Sequence, residues 1–378
     1  ILMISFMNKK ILLGLYIAIK SYFNFFFTKK NKKKIIFFSE GLSHNQFYLS
    51  IVDKLNEDSD VLIITNQIEN YFKLKNDYQI YYFGNSSLLK FVLDNVNCHF
   101  FFTTTPDLGE NFKLSPNCNE YIYLFHSLAS CNKIYKKNAF NNYDTICANG
   151  YYQINELKKM EVLYNLKKKK YLKTGYPLLN YLFSKEIKPK SKSLTKILIA
   201  PTWSLDNETF FNSFCEQTIQ NLLLDGFKVI LRPHPENIKR SKKLFNKLSI
   251  LSNKSDFFEI DVNSSNFDAM NNSDILITDY STISLEFMYR FHKPVIFINS
   301  KEKIHNEEYK KIIDENFEDK IRKICKNINV YDLRYISEIC RKEFTENNVT
   351  EVCKLIKGNL FLHESVNEVI HKYIKEVK

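Results

Sequence analysis

The sequence predicts an α/β protein with two Rossmann-like domains, each built on a doubly wound parallel sheet, that face a cleft. Short apolar runs typical of buried strands alternate with segments of helical spacing, and this alternation restarts after a polar linker. The length of 378 residues favours two domains over one. Because α/β sheets bind ligands at the carboxyl ends of their strands, we expect the functional residues to follow predicted strands.

The N-terminal segment is apolar and has basic residues on both flanks. Residues 11–27 are apolar apart from Lys20 and a few small polar residues, and basic runs lie at 9–10 and 29–34. A spanning helix needs about 20 apolar residues, so a short run with a charge near its middle is a poor transmembrane segment. We expect residues 1–30 to form a helix in the membrane interface, with an ordinary buried helix as the alternative.

The first predicted domain covers residues 31–185. Its predicted strands are short apolar runs at residues 34–38, 61–65, 80–83, 99–103, 121–125, 145–148 and 171–174. Its clearest helical segments lie at residues 44–56, 87–96 and 152–164. A polar, basic stretch with one proline at residues 184–196 is the predicted linker.

The second predicted domain covers residues 190–355 and repeats the pattern. We expect strands at residues 197–200, 227–231, 274–278 and 294–298, and helices at residues 208–224, 238–248 and 285–290. The remainder of the chain has amphipathic, helical spacing, and residues 356–378 are expected to form a C-terminal helix.

Charge and cysteine content narrow the classes of partner. The net charge of +12 fits nucleic acid, an anionic membrane or anionic substrates, but no RNA-recognition, helix-turn-helix or zinc-finger signature is present, so we expect no nucleic acid. The eight cysteines form no Cys-x-x-Cys pair, which indicates reduced thiols in the cytosol. Together with the N-terminal helix, this predicts a peripheral protein on the cytoplasmic face of the membrane.

The sequence offers weak grounds for a metal or a cofactor. The triplet Asp58-Ser59-Asp60 matches the Asp-x-Asp pattern of metal-using glycosyltransferases, but such triplets arise often by chance in charged loops. The sequence contains no glycine-rich phosphate loop of the Walker or Gly-x-Gly-x-x-Gly kind. We therefore expect no metal and no cofactor.

The strongest chemical signal is Leu-Arg-Pro-His-Pro at residues 231–235, at the end of a predicted strand. The two prolines fix the backbone and end the sheet pairing. They would hold Arg232 and His234 at a carboxyl edge, where a guanidinium and an imidazole are suitable donors to phosphate oxygens. A rigid turn with a surface arginine is the alternative.

A second signal follows the predicted strand at residues 274–278. Ser281 or Thr282 is expected to cap the next helix, whose first N–H groups and dipole favour an anion such as a diphosphate. Glu286 lies on the same helical face as Thr282 and is a candidate to bind ribose hydroxyls. A solvated helix residue is the alternative for Glu286.

The third signal is His126, immediately after the apolar strand at residues 121–125. At neutral pH its imidazole can accept a proton from an attacking hydroxyl. A structural histidine that is bonded to a loop is the alternative. Asp144, further along, either orients a neighbour or begins the next strand, and the second role is the more common one for such a residue.

In order and spacing, these motifs resemble the CDP-glycerol glycerophosphotransferases, the family that polymerises teichoic acids. The resemblance runs from about residue 121 to residue 299, and the first hundred residues carry little of it. Its elements in chain order are FHS at 125–127, AFNNYDTICANG at 139–150, KTGYPLLNYL at 173–182, ILIAPTW at 197–203, LRPHP at 231–235 and DILITDYSTISLEFMYRFHKPVIFI at 274–298.

The resemblance implies a GT-B fold, with the active site between two Rossmann-like domains and the donor nucleotide on the second. It implies that His126 and His234 are the two catalytic histidines and that Ser281 and Thr282 contact the donor phosphates. The chain departs from the family where Ser127, rather than glycine, follows the first histidine. Asn180 stands where relatives often carry aspartate.

The predicted function is transfer of glycerol phosphate, or a similar polyol phosphate, from a CDP-activated donor such as CDP-glycerol or CDP-ribitol. The acceptor would be a hydroxyl of a cell-surface glycan or polyol-phosphate polymer, including teichoic acid or capsule, and CMP would be released. One alternative is a GT-B glycosyltransferase that uses a nucleotide-sugar in capsule or lipo-oligosaccharide synthesis. The others are a non-catalytic membrane adaptor that recognises anionic glycan, and a nucleic-acid binder.

Overall fold

Two parallel β-sheets organise the chain in the computed structural model, which describes residues 2–27, 35–110, 113–189, 192–204, 208–362 and 365–377. The first sheet has the strand order β3-β2-β1-β4-β5-β6-β7 and the second the order β10-β9-β8-β11-β12-β13. Every strand pairing between the described residues is parallel. The predicted α/β class with two parallel sheets is confirmed.

The strands of the first sheet are β1 (Ile35–Ser39), β2 (Val61–Thr65), β3 (Ile80–Tyr82), β4 (Cys98–Thr103), β5 (Cys118–Leu124), β6 (Thr145–Ala148) and β7 (Lys170–Lys173). Those of the second are β8 (Lys196–Ile199), β9 (Lys228–Leu231), β10 (Phe258–Ile260), β11 (Ile275–Thr278), β12 (Val295–Asn299) and β13 (Lys326–Asn329). Most central strands are fully buried apolar runs, as expected when helices cover both faces of a parallel sheet.

The first nine helices in chain order are α1 (Leu2–Phe27), α2 (Asn45–Asn56), α3 (Ile68–Leu74), α4 (Ser87–Asp94), α5 (Cys131–Ile134), α6 (Tyr151–Leu163), α7 (Pro177–Phe183), α8 (Phe210–Ser213) and α9 (Cys215–Leu224). They are followed by α10 (Pro235–Arg240), α11 (Lys242–Ser252), α12 (Phe267–Asn272), α13 (Ile283–Phe291), α14 (Tyr309–Ile312), α15 (Phe317–Ile324), α16 (Ile336–Thr345), α17 (Val349–Asn359) and α18 (Val366–Val377). Short 3₁₀ turns lie at Leu42–His44 and Val330–Tyr335.

Several predictions about these elements were wrong in detail. The helix predicted at residues 238–248 is divided between α10 and α11, and the C-terminal helix predicted at residues 356–378 covers the end of α17 and the whole of α18. The helix predicted at residues 208–224 is broken into α8 and α9, and the edge strands β10 and β13 were missed. Within β13 only Ile328 is buried, so the sequence of this short strand lacks the apolar run from which strands were predicted. It also interrupts the region after residue 298, which was expected to be helical throughout.

Each sheet is the centre of one compact unit. The described residues within 1–126, 135–180 and 361–378 form the first unit, and those within 127–134 and 181–360 form the second. The C-terminal helix α18 therefore returns to the first unit, where Ile370 and Ile374 are buried in the same apolar core as Phe37 and Leu55. The short segment 127–134 belongs to the second unit although the first sheet flanks it in sequence.

The N-terminal helix α1 packs against the edge of the first sheet with one face. Ile17, Ala18 and Phe25 are buried, and the ring of Phe25 lies edge-on to that of Tyr81, with the centroids 5.5 Å apart. The hydroxyl of Ser21 accepts a hydrogen bond from the backbone N–H of the adjoining strand β3.

The other side of α1 exposes a row of large apolar side chains, including Leu12 (64% exposed), Tyr16 (64%) and Phe27 (72%). In the part of the chain that the structure describes, no helix combines the length and the apolar character required to cross a bilayer. The basic run predicted to flank α1 at residues 29–34 lies outside the described residues.

Candidate active site

The carboxyl edge of the second sheet carries Arg232 and His234, directly after β9. The guanidinium of Arg232 forms a short ion pair with Asp261, which follows the adjacent strand β10. A second guanidinium nitrogen donates to the backbone carbonyl of Asn263 at 3.0 Å. Arg232 is thus held by the loop after β10, and the arginine fork faces this loop with two of its nitrogens.

His234 caps the short helix α10. Its Nδ1 accepts a hydrogen bond from the backbone N–H of Glu236 at 3.1 Å, while Pro235 occupies the first helical position. An Nδ1 that accepts carries no proton, so the neutral ring carries its proton on Nε2. The local backbone therefore presents His234 as an Nε2–H donor, which is the form that binds a phosphate oxygen.

Buried charges fix the loop after β11. Asp279 is fully buried and accepts a hydrogen bond from the backbone N–H of Thr202 at 2.7 Å, and burial raises the pKa of its carboxyl. Arg322 donates to the backbone carbonyl of Asp279, and its guanidinium lies 4.3 Å from the ring centroid of Tyr280 and 4.5 Å from that of Phe297. This packing holds the backbone just before Ser281 and Thr282.

Thr282 is the N-cap residue of α13, but its side chain does not cap the helix. Its Oγ1 lies 2.9 Å from the hydroxyl of Ser127 instead, and the hydroxyl of Ser284 donates to the carbonyl of Ser281. The predicted side-chain cap was therefore wrong, because a tertiary partner 155 positions away in the sequence takes the hydroxyl. Ser127 is the residue that follows His126 in the chain.

Glu286 lies in the first turn of α13, as expected, but the residue is only 4% exposed. Its Oε2 accepts a hydrogen bond from the side-chain amide of Asn266 at 2.8 Å. The alternative of a solvated helix residue is wrong, since the side chain is buried. A contact of Glu286 with ribose stays a prediction.

The segment 127–134 is tied to the second unit by buried polar contacts. The backbone N–H and the hydroxyl of Ser130 each donate to the carboxylate of Glu318 at 2.5 Å. Asn132 donates to Asn316 at 3.0 Å, and Lys133 pairs with Glu302. Burial raises the pKa of Glu318, and the bonds from Ser130 oppose that rise.

The first unit positions His126 through its backbone neighbours. The Nδ1 of His126 lies 2.9 Å from the carbonyl oxygen of Thr104, just past β4. Because a carbonyl oxygen can only accept, Nδ1 carries the proton and the lone pair of the neutral ring is on Nε2. The hydroxyl of Tyr176 donates to the carbonyl of His126 at 3.1 Å. A proton-accepting Nε2 is what a general base requires.

A second imidazole near His126 was missed in the sequence. The ring of His44 lies 5.5 Å from that of His126 between centroids, and its Nδ1 lies 2.6 Å from the hydroxyl of Thr104. Burial lowers the pKa of His44 to about 4, so the ring is neutral at pH 7. The rule that selected His126 could have found it, since His44 lies in the turn that follows β1.

Two other acidic candidates have structural roles in the first unit. Asp58, in the Asp-x-Asp triplet, pairs with Lys375 and His371 of α18, and these partners hold its pKa below the usual range. No group of three metal-ligating side chains occurs in the described part of the chain. Asp144 lies directly before β6 and accepts a hydrogen bond from the backbone N–H of Tyr121 at 3.0 Å, which agrees with the prediction that it begins a strand.

Comparison with known proteins places these residues in a family context. The family model described as CDP-Glycerol:Poly(glycerophosphate) glycerophosphotransferase matches residues 21–322. A curated relative, the minor teichoic acid biosynthesis protein GgaB of Bacillus subtilis, is 26% identical over 178 residues. That match covers 39% of this chain and only 18% of GgaB.

Solved structures with a similar fold include one of the wall teichoic acid polymerase TagF soaked with CDPG, with a TM-score of 0.55, 14% identity and coverage of 98% of both chains. Staphylococcus aureus MnaA bound to UDP has a TM-score of 0.56 at 12% identity, over 91% of this chain and 96% of that one. A Listeria monocytogenes protein described as a UDP-N-acetylglucosamine 2-epimerase has the same TM-score at 9% identity, over 92% and 98%. At these identities the likeness concerns the fold, and the predicted GT-B class agrees with it.

Proposed function

The chain belongs to the CDP-glycerol:poly(glycerophosphate) glycerophosphotransferase family, and we propose that it transfers glycerol phosphate, or a similar polyol phosphate, from a CDP-activated donor. The acceptor in this proposal is a hydroxyl of a cell-surface glycan or a teichoic-acid-like polymer. The observation that carries the proposal is the match over residues 21–322, which includes every candidate site residue.

His126 is the proposed general base. Its Nδ1–H is committed to the carbonyl of Thr104, so Nε2 would take the proton from the acceptor hydroxyl. The hydroxyl oxygen would then bond to the phosphorus that carries the glycerol. The bond between this phosphorus and the oxygen of CMP would break, and CMP would leave with the electron pair. The imidazolium that forms keeps its bond to Thr104, because Nδ1 remains a donor.

The donor diphosphate is assigned to the edge of the second sheet. His234, with its proton on Nε2, and the hydroxyl groups of Ser281 and Thr282 would donate to the phosphate oxygens. Arg232 would contribute its positive charge from its position on Asp261. As charge develops on the departing CMP, each well-placed donor contributes about 10²-fold or more in rate. Glu286 remains the proposed ribose contact.

We also propose that the protein works at the cytoplasmic face of the membrane, as a peripheral protein. The support is the row of exposed apolar side chains on α1, on the opposite side from those buried against the first sheet. An interfacial helix of this kind binds by inserting its apolar face at the level of the lipid headgroups. Membrane-linked glycan or polymer acceptors would then be close at hand.

Mass spectrometry of reaction products tests the function. Purified protein is incubated with CDP-glycerol and a panel of glycan and polyol-phosphate acceptors, with CDP-ribitol and nucleotide-sugars as competing donors. We expect an acceptor product that is heavier by one glycerol phosphate, and far less of this product with the His126→Ala variant over the same time. Transfer of a sugar from a nucleotide-sugar, with CDP-glycerol inert, would instead establish the glycosyltransferase alternative.

A further inference from the structure

The only tryptophan of the chain lies among cationic side chains in the second unit. Trp203 follows β8, whose neighbours in the sheet are β9 and β11. The Nζ of Lys303 lies 3.6 Å from the centroid of its ring system, and the guanidinium carbon of Arg240 lies 5.4 Å from it. The ring centroids of Trp203 and His234 are 5.8 Å apart. The cluster therefore adjoins one of the candidate donor-binding residues.

Burial desolvates the ammonium group of Lys303, and the residues that the structure describes place no carboxylate against it. Its burial, together with the charge of Arg240, lowers its pKa to about 8. Among the described residues, no carboxylate oxygen lies within 4.0 Å of its Nζ. The charge of Glu236 opposes the lowering of the Lys303 pKa, but its carboxylate pairs with Lys239 at 2.7 Å and with Arg240 at 3.1 Å.

A desolvated cation is costly unless an anion compensates it. The cation–π contact with Trp203 offsets part of this cost but supplies no negative charge. Lys303 also covers a face of the indole at van der Waals distance, so that face is not available to stack a nucleobase. The chemistry of the cluster is therefore that of an anion site and not that of a base-stacking platform.

We infer that Lys303, Arg240 and His234, arranged around Trp203, form a binding site for a phosphate group of the substrate. The ammonium group supplies up to three N–H donors, and the imidazole supplies Nε2–H. Trp203 holds the ammonium in place through its ring face. This inference rests on the proposed function, because the phosphate belongs either to the CDP-linked donor or to a phosphodiester of the acceptor polymer.

Because Trp203 is the single tryptophan, its fluorescence reports directly on the site. The full chain is titrated with inorganic pyrophosphate, CDP, a short poly(glycerol phosphate) and cytidine, and the affinities are verified by calorimetry. The test variant is Lys303→Gln. The matched control is Lys301→Gln, which removes an exposed lysine of the same loop that pairs with Glu208 at 3.5 Å.

We expect Lys303→Gln to lower the affinity for phosphate-bearing ligands at least tenfold. This is the effect expected from the loss of about one charge-assisted hydrogen bond. The Lys301→Gln variant should bind every ligand with the affinity of the unaltered protein. Neither substitution should change the affinity for cytidine. Weaker binding of CDP and pyrophosphate would show that the site holds a phosphate of the donor. Weaker binding of poly(glycerol phosphate) alone would show that it holds a phosphodiester of the acceptor. Lys303→Arg should restore a large part of the lost affinity.

Unchanged affinity of Lys303→Gln for all three phosphate-bearing ligands would overturn the inference. The inference would also be overturned if none of the three ligands altered Trp203 emission in the unaltered protein. This measurement does not depend on the folding of any variant. None of these measurements requires turnover. The inferred site and the proposed function can therefore be refuted independently of each other. If phosphate binding depends on Lys303 but no transfer from CDP-glycerol occurs, the inferred site stands and the proposed reaction is refuted.

Discussion

The Nδ1 of His126 lies 2.9 Å from the backbone carbonyl oxygen of Thr104, and this contact sets which nitrogen of the ring can accept a proton. A carbonyl cannot donate, so the neutral ring has its lone pair on Nε2. The oxygen that orients the ring comes from the backbone, so no substitution of the Thr104 side chain removes it. The side chain of Thr104 instead contacts His44.

Replacing His126 with alanine is expected to lower turnover by about 10² to 10⁴-fold, the usual contribution of a general base. CDP-glycerol binding should change little, because the residues proposed to hold the donor belong to the second sheet. Steady-state kinetics and calorimetry measure the two quantities separately. A variant that loses nucleotide binding but retains its turnover would refute the role given to His126.

His44 predicts a specific dependence of stability on pH. Its folded-state pKa of about 4 lies below the unfolded value of 6.5, so the unfolded chain binds more protons between these limits. The free energy of unfolding should therefore fall as pH is lowered from about 6.5 to about 4, by roughly 2 kcal/mol from this residue.

Urea denaturation at pH 7 and pH 4.5 measures this contribution. His44→Gln keeps a polar side chain that does not titrate, and it should have a smaller loss of stability over the same interval. The same loss in the variant and in the unaltered protein would show that His44 does not titrate as its burial requires.

The affinity for pyrophosphate should respond to the titration of Lys303. Since its pKa is lowered to about 8, the ammonium is charged below this pH and neutral above it. Arg240 keeps its charge over this range, while Glu236 opposes the lowering of the pKa. Affinity should therefore fall between pH 7 and pH 9.5 in the unaltered protein.

The Lys303→Arg variant controls for the ionisation of pyrophosphate itself, because its guanidinium stays charged throughout. Calorimetric titrations of both proteins at several pH values provide the comparison. Parallel pH profiles would contradict the involvement of a titrating Lys303.

The exposed apolar row of α1 is expected to bind anionic vesicles. Leu12→Glu places a charge on this row, where the side chain is 64% exposed, and should reduce binding in a flotation assay severalfold. Leu224→Glu is a matched control, because Leu224 is 85% exposed on the second unit. Equal loss in both variants would indicate an effect of charge alone.

Sequence reasoning succeeded where one local pattern determines the structure. Continuous apolar runs predicted the central strands, such as β2 and β11, because both faces of a parallel sheet are covered. The motif at residues 231–235 was placed at a carboxyl edge because strand and turn signals are adjacent in the sequence. The family resemblance was confirmed for the same reason, since it depends on short motifs in a fixed order.

It failed where a contact joins distant segments. The hydroxyl of Thr282 bonds to Ser127, which no propensity for helix capping anticipates. Lys303 lies in a loop with no motif, and only the fold brings it over Trp203. Asp261, the partner of Arg232, follows a three-residue edge strand that was itself missed.

Phosphorus NMR of the reaction between the purified protein, CDP-glycerol and a polyol-phosphate acceptor tests the central claim most directly. Attack at the phosphorus that carries the glycerol predicts that CMP accumulates while a new phosphodiester signal grows in equal amount. Accumulation of CDP instead would mean that the glycerol moves without its phosphate, and this result would contradict the glycerophosphotransferase reaction proposed for the chain.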